Sequence, residues 1–194
     1  MRFLGFSKKE LVAVVAILSV LFAATFINLQ TSLQRGRDVQ RKNDIRAITD
    51  ALLQYGVDRK FFPPSYNGKI VACNPKVESN QILFKACEWF TDPLGDIQNN
   101  HTPVYLERIP TDPHHNQGAR YHYISTGEHF QLFAALEGSD EPEYDLEIVA
   151  RNLPCGGRIC NFGRGSDNTP LNIPLEQYEA KLVQLELEKA KSAQ

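Results

Sequence analysis

Residues 11–27 read LVAVVAILSVLFAATFI, and only Ser19 and Thr25 interrupt the apolar run. A helix built from them has no polar stripe to turn toward water, which sets it apart from the surface helix of a soluble domain. These 17 residues would rise about 26 Å as a helix, and the flanking residues bring the segment close to the roughly 30 Å of a bilayer core. The mean hydropathy of the whole chain, −0.33, hides this segregation. It excludes several spans but not one.

The helical pattern does not stop at the end of the apolar run. No proline occurs before Pro63, and Ile45, Ile48, Leu52 and Tyr55 recur at spacings of 3, 4 and 3, with Ala51 beside them. That is a single buried stripe on a helix whose other faces carry Arg35, Arg37, Asp38, Arg41, Lys42, Asp44, Arg46 and Asp50. Asp38 and Lys42 form an acid-first i,i+4 pair on this reading. Phe61-Phe62-Pro63-Pro64 ends the helix. Residues 7–57 as one rod would be about 75 Å long, greasy in the first half and amphipathic in the second.

Two other readings of the start compete. One is a buried core helix, against which stands the polar stripe that helices of soluble proteins keep and this run lacks. A secretory signal peptide could use Arg2, Lys8 and Lys9 as its basic region, but Glu10 sits against the apolar run and no A-x-A exit follows. Lys8 and Lys9 hold the start of the helix at headgroup level, since lysine snorkels.

The remainder of the 194 residues reads as one small extracytoplasmic domain. Strands are expected over 69–72, 104–108, 121–125 and 129–136, the last two joined by Thr126-Gly127-Glu128 as a hairpin. A long helix followed by an antiparallel sheet is α+β. Four cysteines behind a membrane span point to disulfides in an oxidising compartment. Of the three possible connectivities, Cys73–Cys87 and Cys155–Cys160 close the shortest loops. A zinc site competes, but the spacings fit no familiar finger or ribbon. Glycine, serine, asparagine and aspartate make residues 161–173 read as a linker. Residues 174–194 follow as an amphipathic helix with Leu175, Tyr178, Leu182 and Leu185 on one side, docked on its own domain.

Charge and motifs exclude several function classes. The 21 Lys+Arg against 23 Asp+Glu leave a formal net charge of −2, without the basic excess of a general nucleic-acid binder. No nucleophile elbow, phosphate loop or HExxH motif is present, so no enzymatic activity is expected. The five histidines form no recognisable ligand set, and His114-His115 is expected to face solvent.

The start Gly5-Phe6-Ser7-Lys8-Lys9-Glu10, followed by the apolar run, resembles the leader of type IV prepilins and type II secretion pseudopilins. Residues 37–45, Tyr105-Leu106-Glu107-Arg108-Ile109-Pro110-Thr111-Asp112-Pro113 and Gly127-Glu128-His129-Phe130-Gln131-Leu132-Phe133 are similar to later parts of that family. The resemblance implies a pilin-like fold. Residues 1–5 are a leader, 6–29 a transmembrane and filament-core helix, and 30–160 the extracytoplasmic domain. It implies cleavage between Gly5 and Phe6 by a prepilin peptidase, methylation of Phe6, and pairing of Glu10 with the Phe6 amine, which would set the stagger between subunits. The implied partners are other copies in a helical filament, other pilins, an inner-membrane assembly platform, and lipid before assembly. The N-terminus is then cytoplasmic, although the basic residues after the span slightly favour the opposite orientation.

No cofactor is expected. Major pseudopilins bind calcium in a loop after the equivalent strand, so Ser139, Asp140 and Asp145 are candidate ligands within an acidic loop that also holds Glu137, Glu141 and Glu143. The loop follows the family pattern poorly, and a solvated acidic loop is the favoured reading. The competing function is a single-pass membrane-anchored binding module that is never cleaved.

Overall fold

The computed structural model describes residues 8–78, 81–95 and 104–192. Helix α1 (Lys8–Arg59) is 52 residues long, about 78 Å at 1.5 Å per residue. Nothing interrupts it: Ile27 and Gly36 both lie within continuous helix. Ser19 and Thr25 donate their hydroxyls to Val15 O and Leu21 O at 2.8 Å, so the polar atoms of the apolar half find partners on their own helix. Lys60 ends α1 in the left-handed region, φ 67°, with its N–H donating to Gly56 O.

Behind α1 lie a short ribbon of β1 (Ser65–Tyr66) and β2 (Lys69–Ile70), and a hairpin of β3 (Cys73–Glu78) and β4 (Gln81–Lys85). The central sheet holds β5 (His122–Ser125), β6 (Phe130–Ala134) and β7 (Phe162–Gly165), antiparallel in the order β5-β6-β7. A short helix α2 (Leu146–Ala150) connects β6 toward β7, and α3 (Leu175–Ser192) closes the chain.

Strand β6 is buried along its whole length because both its faces are covered. Alternation sends Phe130, Leu132 and Ala134 into the core shared with Ile45, Ile48, Ala51 and Leu52 of α1. Phe133 and the following Ala135 enter a second, smaller core with Ile148 and the Cys155–Cys160 disulfide. Gln131 on that second side donates to Pro170 O and Ile173 O and accepts from Arg151, which ties down the approach to α3. The Cys73–Cys87 disulfide joins the start of β3 to the residues after β4.

The sequence reading needs correction in three places. Residues 161–173 are not a linker: they contain β7, and Phe162, Ser166 and Thr169 are buried. The glycines that suggest flexibility permit close packing, since a Cβ on Gly163 would lie 2.6 Å from Leu132 O and 2.7 Å from the Phe133 ring. Residues 104–108 form no strand. Tyr105 N and Leu106 N both donate to the one carbonyl of Leu94, which leaves a bridge and no ladder. The β3–β4 hairpin, finally, lies in a segment without the alternation that would have marked it.

The α1 stripe should dominate the stability of the domain. Leu52→Ala is expected to cost about 2–5 kcal/mol, whereas Val57→Ala, at a 61% exposed site, should stay within about 0.5 kcal/mol. Urea unfolding of the detergent-solubilised full chain measures both.

Candidate assembly surface

Among the described residues, the side chains of the first half of α1 are exposed from Lys9 to Leu33. Leu11 is 56% exposed, Val12 68% and Phe22 73%, and exposure continues to Leu33 at 53%. This is far more contiguous apolar surface than a soluble monomer tolerates. Glu10 is exposed in the first turn of the helix. The other two residues of the expected processing and assembly site, Gly5 and Phe6, lie outside the described residues, as do Arg2 and the rest of the leader.

Where α1 enters the domain, one turn of helix holds it. Arg41 is fully buried. It donates through Nε to Asp112 Oδ2 at 2.7 Å and through Nη2 to Oδ1 at 3.0 Å. Its Nη1 donates to Asp38 Oδ1 at 2.8 Å and to Glu137 Oε1 at 2.7 Å. Arg37 grips Glu137 with both forks, Nε to Oε1 at 2.8 Å and Nη2 to Oε2 at 2.6 Å. Asp38 accepts the backbone N–H groups of Glu137 and Gly138, each at 2.9 Å. Three distant segments, around residues 38, 112 and 137, are thereby fixed to one another.

The electrostatics follow from this geometry. The Arg37 guanidinium holds the Glu137 carboxyl down, from the ordinary 4.5 to about 2; burial opposes this and Arg41 adds to it. Burial pulls the Arg41 pKa down, but its bonds to Asp112 and Glu137 more than offset this and leave it raised. Beside them Tyr121 donates to Asp44 at 2.7 Å, and burial raises the Asp44 carboxyl.

Curated proteins of known role resemble the chain over most of its length. It is 27% identical to type II secretion system core protein G of Dickeya chrysanthemi over 165 residues, 84% of this chain and 95% of that protein. It is 27% identical to the protein of the same name from Pseudomonas aeruginosa over 150 residues, 73% and 92% of the two chains. The counterpart from Pectobacterium carotovorum is 25% identical over 137 residues, 70% and 76% of the two. No family model matches, and no solved structure matches significantly. Over most of its length the chain is thus similar to type II secretion core proteins, as its start suggests.

In this chain the expected Asp38–Lys42 pair is not formed. Asp38 turns inward to Arg41, while Lys42 reaches Glu141 at 2.5 Å and Glu143 at 2.6 Å. Sequence reading placed Asp38 and Arg41 on the solvated faces. Their positions carry the missed signal: 38, 41, 45, 48, 52 and 55 continue the same 3, 4 spacing, so two charged residues occupy the buried stripe. The acidic loop is correspondingly not free in water. Of the candidate calcium ligands, Ser139 is exposed, Asp140 lies 3.6 Å from Arg35, and Asp145 accepts the Glu147 N–H at 2.7 Å as the N-cap of α2.

The histidines differ from expectation in part. His115 is exposed, but His114 is half-buried, 3.2 Å from Arg158 and 3.4 Å from Glu137. Burial lowers the His122 pKa. His129 bonds Glu179 at 2.9 Å and meets Tyr178 edge to face. These contacts, with buried Leu175, dock the first two turns of α3 on the hairpin. The C-terminal helix therefore docks on its own domain as expected, but through its first turns: beyond them Val183, Leu185 and Leu187 are exposed.

Replacing Arg41 by Leu should cost about 3–5 kcal/mol, because Asp38 and Asp112 are left buried without their cation while Glu137 keeps only Arg37. Thermal unfolding of the full chain in detergent reads the loss. The depressed Glu137 pKa contributes stability that is complete above pH 4.5 and lost as pH falls toward 2. Glu137→Gln should flatten that acid limb in a titration of the melting temperature between pH 6 and pH 2.

Proposed function

We propose that this pseudopilin is a structural subunit of a type II secretion pseudopilus, inserted by its apolar helix, trimmed, and polymerised through that same helix. One observation carries the reading. A single uninterrupted helix carries an apolar run over residues 11–27, about 26 Å, whose described side chains are exposed, and is fastened to a folded domain from Arg37 onward. A membrane anchor alone needs the first half. The rigid continuation into the domain is what a helix-cored filament needs, because it sets the position of each domain relative to the core. The curated relatives are core proteins of that secretion system.

In this reading the N-terminus is cytoplasmic and the domain extracytoplasmic, where both disulfides can form. A prepilin peptidase cuts between Gly5 and Phe6, and Phe6 is methylated. The new α-amino group belongs to Phe6, four residues before Glu10 in the sequence. In the filament it pairs with Glu10 of an adjacent copy and sets the axial stagger. An inner-membrane platform and other pilins assist assembly. The subunit has no catalytic part in this scheme.

Mass spectrometry of the N-terminus separates the proposal from an uncleaved membrane anchor. A methylated Phe6 terminus is expected, and an intact Met1 in assembly-competent cells would refute processing. Glu10→Ala should leave the monomer folded in membranes, with an unchanged melting temperature, while sheared-filament yield drops at least tenfold. Normal filament yield would remove Glu10 from assembly.

A further inference from the structure

The β6–α2 loop is where a metal would be expected, yet its carboxylates face nitrogen cations supplied by α1. Glu137 has both oxygens in the fork of Arg37. Lys42 Nζ sits between Glu141 Oε2 at 2.5 Å and Glu143 Oε2 at 2.6 Å. Asp140 lies against Arg35, and Asp145 caps α2. Each of the five acids at 137–145 therefore has a named partner.

Calcium would need six to eight oxygen ligands at about 2.3–2.6 Å, commonly including backbone carbonyls. At the root of this loop the groups turned toward α1 are amides: the N–H groups of Glu137 and Gly138 donate to Asp38. A dication entering between Glu141 and Glu143 would meet the Lys42 ammonium already bound there, on a side chain only 19% exposed, and would have to expel it.

We propose that Arg37, Arg41 and Lys42 take the structural place of a divalent cation in this loop, so that the pseudopilin folds and holds its β6–α2 connection without metal. The residues do not fit a calcium site because helix cations already neutralise the acids that would build one. The inference concerns the folded monomer and stands apart from the filament reading.

The test uses the purified full chain in detergent. Its melting temperature is measured in EDTA and in millimolar calcium chloride, and calcium is titrated in by calorimetry. The expected result is the same melting temperature within about 1 °C and no binding heat. A calcium site filled a hundredfold over its dissociation constant would instead raise the melting temperature by about 5–10 °C. Such a rise, or unfolding in EDTA, overturns the proposal. Lys42→Ala should lower the melting temperature in EDTA and Lys42→Arg should restore it. An unchanged melting temperature in Lys42→Ala would show that Lys42 does not brace the loop, and would also overturn it.

Discussion

The buried guanidinium of Arg41 is the point through which the rest of the molecule is connected. It bonds carboxylates from its own helix, from the turn at Asp112 and from the end of the central sheet at Glu137. Asp112 does two jobs, since it also accepts the His114 N–H and so shapes the turn that presents it. Burying an ion in this way costs several kcal/mol unless its hydrogen bonds are satisfied. Here the guanidinium is surrounded by four carboxylate bonds, and Arg37 completes Glu137 from the outer side.

That cluster marks the boundary between two solvents for one helix. Beyond it toward the N-terminus, α1 is suited to lipid or to other helices: even Ser19 and Thr25, the two hydroxyls within its apolar run, are internally satisfied. Beyond it toward the C-terminus, α1 is an ordinary amphipathic helix against a sheet. No proline or packed glycine softens the junction, so motion of the domain is transmitted to the bare helix as motion of a rod.

How much of this could be read beforehand depends on how local the cause is. The long helix, its four-residue core stripe and the β5–β6 hairpin follow from periodicity and turn chemistry confined to neighbouring residues. Strand β7 does not, because Gly163 and Gly165 look like flexible chain until Leu132 and Phe133 are placed against them. The acidic loop likewise reads as solvated until α1, about 100 residues earlier, supplies Arg37 and Lys42. In α3 the stripe was visible but its use was not. The stripe extends through Leu182 and Leu185, whereas the hairpin offers His129 and Thr126 to the first turns alone. The proposed processing residues Gly5 and Phe6 rest on the sequence alone, through a leader resembling that of prepilins, and lie outside the described residues.

A charged cluster in the stripe gives the domain something that further apolar residues would not. The stripe is apolar at 45, 48, 52 and 55, and an apolar stripe tolerates displacement by one turn, since another apolar residue arrives in each socket. Displacement of α1 by one turn would carry Ile45 into the carboxylates of Asp112 and Glu137 and leave Arg41 buried without them. The first is a lost packing contact, while the second strands a buried charge and is far more costly. The axial position of the helix relative to the domain is therefore set by electrostatics and its strength of attachment by hydrophobic burial. In the proposed filament, where the exposed helix meets others at a fixed stagger, the first of these is the property that matters, and it resides at Arg41.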